Sequence, residues 1–262
     1  MGIGIEKPLG VGGISSYITV DRNRYQKSFG NNLQTDTFER TGINRYTTES
    51  AIINMVKANP KIITILKEVN APLSINMKEL NHVLANHASD TKNIAKGITE
   101  HLPFSLQNKV DTKALLDAAY LHDVGKVLIP ANILNKAGKL DERETQIMHK
   151  HSELGYELLK STDIDKKTLH LIRNHHQNAK KTGYPFVDNS FNADLNLQIL
   201  SLADKYSALT EKRAYKEPLG AKQALTIIYK DVQEGKLHPF VFKALVNYAC
   251  LLYTSPSPRD TR

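Results

Sequence analysis

A single cysteine among 262 residues, Cys250, excludes a disulfide framework and any zinc site built on thiolates. No apolar run nears the roughly 20 residues that a membrane-spanning helix needs. The longest, such as IITIL at 62–66, are core-sized. The opening MGIGIEKPLG lacks both the basic start and the apolar stretch of a secretory leader. A dinucleotide fingerprint is missing too, since after Gly10 and Gly12 it is Ser15 that stands where the last glycine of G-x-G-x-x-G would fall. Strand-like alternation and internal repeats are also lacking. Together these absences predict an all-α, cytoplasmic protein.

What is present is a net charge of +8 with a pI near 9.3. That surface favours anionic partners, although most of the lysines are expected simply to face solvent, and no specific nucleic acid is implied. Residues 1–45 are rich in Gly, Asn and Thr without a sustained period, which predicts a flexible N-terminal arm that could dock a protein partner. N-terminal helices are expected over 46–75 and a larger helical domain over 76–249. The end of the chain, 250–262, opens with CLLYTSPSPRD, which reads as a translated sequencing-library adapter.

Helix signals run through the rest. Asn59-Pro60 opens a helix to about Val69, and Asn76 caps one that carries Leu80, Leu84, His87, Thr91 and Ile94 on one face. Asp111 caps a helix expected to stop at Gly125, and Asp141 with Glu144 forms a capping box for a helix through Leu159. Further helices are expected at about 164–177, 194–210, 219–234 and 239–249. The sum is a bundle of about seven helices.

Ten histidines make helix faces informative. Ile147, Leu154 and Leu158 set an inward stripe that His151 completes, while His149 falls round the helix toward solvent. Ile172 leads to His175 and His176 at +3 and +4. Asp204 lies with Leu197, Leu200 and Ala208, and His87 sits beneath Leu80 and Leu84. His122 and Asp123 are adjacent at the end of an apolar helix. An imidazole and a carboxylate inside a core are costly unless compensated. A divalent metal compensates both, and this ligand mixture suits Fe, Mn or Zn, with a carboxylate able to bridge two ions.

The ordered set LHDVGK, H-x-x-x-G, HH, TGYP and LADKYSALTEKRAYK resembles the HD-GYP branch of the HD-domain phosphohydrolases, over about 80–248. The resemblance implies an HD-domain helical bundle that hydrolyses cyclic di-GMP or a related cyclic dinucleotide. It implies metal ligands at His87, His122, Asp123, His151, His175, His176 and Asp204, with Asp123 as the bridging catalytic carboxylate. Lys126 would stand by the scissile phosphate, Arg213 and Lys216 would contact substrate phosphates, and Tyr184 would shape the pocket.

The chain departs from that pattern where family members carry an acidic residue and a Trp-Asp-Gly run. Here Gln177, Asn178, Ala179, Lys180 and Lys181 stand instead. Val83 replaces the glutamate of three-metal members, which predicts two ions, and Thr91 replaces an arginine. Two other readings suit the same residues: a phosphohydrolase of another nucleotide or phosphate ester, or a metal-binding but catalytically poor sensor module.

Overall fold

The computed structural model describes residues 43, 47–211 and 217–254. The arm expected over 1–45 (Ile43 apart), the basic pair Arg213 and Lys216, and the tail beyond Thr254 lie outside the described residues. Among the described residues there is no strand. The helices are α1 Glu49–Ala58, α2 Lys61–Glu68, α3 Met77–His82, α4 Ala88–Glu100, α5 Phe104–Gln107, α6 Thr112–Leu121, α7 Ala131–Leu134, α8 Glu142–His149, α9 His151–Leu159, α10 Lys166–Asn174, α11 Leu195–Thr210, α12 Ala221–Gln233 and α13 Pro239–Thr254. None is long and apolar enough to cross a membrane.

Local chemistry starts most of these helices. Side-chain oxygens of Thr48, Asn76, Asp111, Asp165 and Asp194 each accept a backbone N–H of the first turn, and Asp141 and Glu144 complete their capping box. The ends differ from expectation. The Asp111-capped helix ends at Leu121, and a 3-10 turn, Val124–Leu128, takes over. The expected 141–159 helix breaks at Lys150 into α8 and α9. A π-helical turn, Val83–His87, separates α3 from α4. About seven expected helices are therefore subdivided, and the interruptions lie next to His87, His122 and His151.

Two glycines lie where the 3-10 turn meets α9. A Cβ on Gly125 would fall 2.0 Å from the His151 carbonyl oxygen and 2.4 Å from the Gly155 nitrogen. Gly125 is therefore no helix cap. It lets the 3-10 turn lie directly on α9, with Gly155 on the facing side. Asn76 N–H donates to the Val127 carbonyl at 2.7 Å and ties the start of α3 to the same turn. One apolar cluster runs through the fold from Ile43 and Ile52 to Leu245, with Leu121, Val124, Leu154, Ile172 and Leu200 fully buried at its centre. Each such Leu or Ile contributes roughly 1.5–3 kcal/mol on burial. Such a core can carry the polar groups at its heart.

Candidate metal centre

Three histidines follow one local rule. His122 directly follows the end of α6, His175 directly follows the end of α10, and His151 stands two residues beyond the end of α8. Each turns its Nδ1 back to the carbonyl three residues earlier: His122 to Ala119 at 2.9 Å, His151 to Met148 at 2.7 Å and His175 to Ile172 at 2.7 Å. A carbonyl only accepts, so Nδ1 carries the proton in all three. In the neutral ring Nε2 is then a bare lone pair, and all three point inward. This is the outer hydrogen bond that orients a metal-ligating imidazole.

The lone pairs face one another. His151 Nε2 stands 3.2 Å from His175 Nε2 and 3.2 Å from His176 Nε2. Burial pushes His151 down to about 3 and His176 down to about 4, and burial with neighbouring imidazoles holds His175 well below the ordinary range. All three are neutral at neutral pH, and His151 and His175, whose Nδ1–H is already donated, present acceptors to each other. Two acceptors cannot hydrogen-bond each other, so the arrangement suits a shared cation. Atoms about 2.1 Å from one ion at tetrahedral or octahedral angles stand about 3.0–3.4 Å apart, matching these gaps.

The other half is rich in carboxylate. His87 Nε2 lies 3.2 Å from Asp204 Oδ1 and 3.6 Å from Asp123 Oδ2. His122 Nε2 lies 3.5 Å from Asp123 Oδ2 and 3.6 Å from Asp204 Oδ1, and is a buried atom with no hydrogen-bond partner. Burial opposes charge on His122, yet the two carboxylates prevail and raise it to about 10. The space between them favours positive charge strongly enough to hold a proton. Asp123, 4% exposed, presents its second oxygen to the first half: Oδ1 is 3.3 Å from His151 Nε2 and 4.0 Å from His175 Nε2. His176 Nδ1 reaches Asp204 Oδ2 at 3.9 Å. Three overlapping sets have ligand atoms mutually within 4.8 Å: His151, His175 and His176; His87, His122 and Asp204; His122, Asp123 and His175. The donor set fits divalent metal, and all seven sequence-predicted ligands converge here.

Lys126 Nζ donates to Asp123 Oδ2 at 2.5 Å. Burial works against its charge, but Asp123 outweighs burial and keeps the ammonium protonated. Tyr184 stacks on His149, with ring centroids 3.7 Å apart at 12°, and lies tilted at 32° against His176 at 4.5 Å. His149 therefore does not face solvent as its helix position suggested. The break at Lys150 turns α8 so that its last residue closes on the Tyr184 turn. Burial raises the Tyr184 phenol, which stays neutral. A cavity of about 460 Å³ opens beside His176 and Asp204, lined further by Gln198, Ser201, Lys205 and Lys236.

Sequence reasoning missed four neighbours. Ser207 and Glu211 hold His87 Nδ1 at 3.2 and 3.3 Å. Their signal was available, since they lie three and seven residues beyond Asp204. Glu79, raised by burial despite Lys126, faces the same charges, and His149 had no local signal at all.

Over 104 residues the chain is 39% identical to a 3'3'-cGAMP-specific phosphodiesterase 2 of Vibrio cholerae, covering 39% of this chain and 20% of that protein. Over 123 residues it is 38% identical to a cyclic di-GMP phosphodiesterase response regulator of Xanthomonas campestris, covering 46% of this chain and 32% of that protein. The chain thus spans a fifth to a third of the length of these relatives. The chain is also similar to an HDG"Y"P protein from Bdellovibrio bacteriovorus, at 16% identity and a TM-score of 0.49, covering 91% of this chain and 79% of that one. The family described as HD domain matches residues 72–240, well over half of the sequence, and the chain belongs to that family.

Proposed function

We propose that this chain is a metal-dependent phosphodiesterase that hydrolyses cyclic di-GMP or a related cyclic dinucleotide, using two divalent ions such as Fe or Mn. The supporting observation is Asp123, whose two oxygens face two different ligand groups. Oδ2 faces His87 and His122 with Asp204, and Oδ1 faces His151 and His175. Val83, buried in the core, supplies no ligand for a third ion. Divalent ions bound there supply a nucleophile at neutral pH and neutralise phosphate charge.

The chain's own residues do the rest. Asp123 bridges the two ligand groups from the protein side. The Lys126 ammonium stands at the same oxygen, placed to meet the charge of the scissile phosphate. Tyr184 walls the pocket, and the 460 Å³ cavity beside His176 has room for part of a nucleotide. Arg213 and Lys216 are assigned to the substrate phosphates by resemblance alone. The catalytic domain is assigned to 76–249, preceded by helices over 46–75.

The test is turnover of cyclic di-GMP and 3'3'-cGAMP by the purified protein with manganese or ferrous iron, with products separated chromatographically. Hydrolysis that is lost in Asp123→Ala supports the reading. A folded, metal-loaded protein that turns over neither dinucleotide overturns it.

A further inference from the structure

We propose that Gln177 is a positioning residue: its side-chain amide locks the Gly183-Tyr184-Pro185 turn against the metal centre and so sets the fit of the substrate. The inference rests on the phosphodiesterase reading for its substrate, but not for its geometry.

Gln177 directly follows His175 and His176 and is 2% exposed. Its Nε2 donates to the Pro185 carbonyl at 2.6 Å, while its Oε1 accepts the Gly183 N–H at 3.2 Å. One amide therefore clamps the turn from both sides of Tyr184. Its own backbone is fixed as well. Gln177 N–H donates to Asn174 O at 2.7 Å, and the Ser201 hydroxyl donates to the carbonyls of Gln177 and His175. Gly183 lies so close that a Cβ there would fall 1.9 Å from the His176 carbonyl oxygen. The clamp thus delivers Tyr184 into its stack between His149 and His176.

The chemistry is specific to an amide. A carboxylate at 177 could accept the Gly183 N–H but has no proton for Pro185 O. Two oxygens would then oppose each other at about hydrogen-bond distance in a buried place, where an unmet polar contact is costly. The lysine-rich segment after Gln177 is held at its own points. Asn178 Oδ1 accepts Lys180 N–H at 2.9 Å, and Ala179 N–H donates to Lys236 O at 3.1 Å. Within the segment that departs from the family pattern, it is Gln177 that reaches the turn.

The test compares wild type with Gln177→Glu and Gln177→Met, the second removing both hydrogen-bonding groups without adding charge. Hydrogen exchange is read on peptides spanning 178–191. Metal content is measured, and kinetics are run on cyclic di-GMP and on bis(p-nitrophenyl) phosphate, a small ester too short to need the Tyr184 wall. Expected for both variants are exchange about tenfold faster over 183–187, unchanged metal content, a KM for the dinucleotide about tenfold higher, and kcat on the small ester within twofold. Unchanged exchange overturns the proposal. Equal losses on both esters also overturn it, by reducing Gln177 to a general structural part. If wild type cleaves neither ester, the phosphodiesterase reading falls, while the exchange result still decides whether Gln177 holds the turn.

Discussion

Two carboxylates are almost equally screened from solvent in this protein, and their surroundings are opposite in kind. Glu157 on α9 is 2% exposed and is met by donors: Asn59 Nδ2 at 2.8 Å, Lys61 at 3.5 Å and the Lys160 ammonium. Asp123 is 4% exposed, and besides Lys126 and His122 it faces His151 and His175, whose inward nitrogens are bare lone pairs. A structural carboxylate collects the hydrogen bonds it needs from the chain. Asp123 has donors on its Oδ2 side, but its Oδ1 faces the bare acceptors of His151 and His175, a gap that a cation completes. Satisfaction separates the two roles; burial does not.

Several substitutions would break that contrast. The largest effect is expected from Asp123→Asn. Turnover should fall by about 10³-fold or more and bound metal should drop, measured by chromatography and elemental analysis. Its melting temperature in chelator should move less than that of Glu157→Ala. A metal-replete Asp123→Asn enzyme would sink the bridging role. Lys126→Met should cost about 10²-fold in kcat with metal content unchanged, since it removes a charge at the reacting phosphate and no ligand. A loss of metal in that variant would show that Lys126 instead holds Asp123 in place.

Glu157→Ala should do the reverse of Asp123→Asn. About 2 kcal/mol of stability should be lost in denaturant titration, with kcat/KM of the folded protein within twofold. The pH dependence sharpens this. Burial opposes the Glu157 charge, but Lys160, Asn59 and Lys61 outweigh it, so its folded pKa lies below the ordinary 4.5. Its stabilisation is therefore complete above about pH 5 and is lost as pH falls through the folded value. Glu157→Gln should flatten the fall of Tm with acid over that window, and an unchanged slope would remove Glu157 from the account. The smallest effect belongs to His149→Ala, which removes one face of the Tyr184 stack. A KM rise of about threefold at unchanged kcat is expected, at the roughly 0.5–1.5 kcal/mol of an aromatic pair.

Much of the centre was legible in the chain. His122-Asp123, His151 on its apolar stripe, the His175-His176 pair and Asp204 all carry periodicity that a linear reading can follow. Helix starts were legible for the same reason, since the caps at Asp111 and at Asp141 with Glu144 are contacts between residues three apart. Helix ends were not. The 3-10 turn that follows Leu121 lies on α9 through Gly125 and Gly155, a contact between residues thirty apart that no local pattern announces.

The sequence by itself determined the helical class, the inward faces and the ligand types, because these rest on spacing along one helix and on the chemistry of each side chain. Only the tertiary structure decided that Asp123 turns one oxygen to each ligand group, that His149 closes on Tyr184, and that Gln177 grips both sides of the same turn. Those outcomes depend on where separate helix ends meet, and that is set by close packing across the core and not by any local preference.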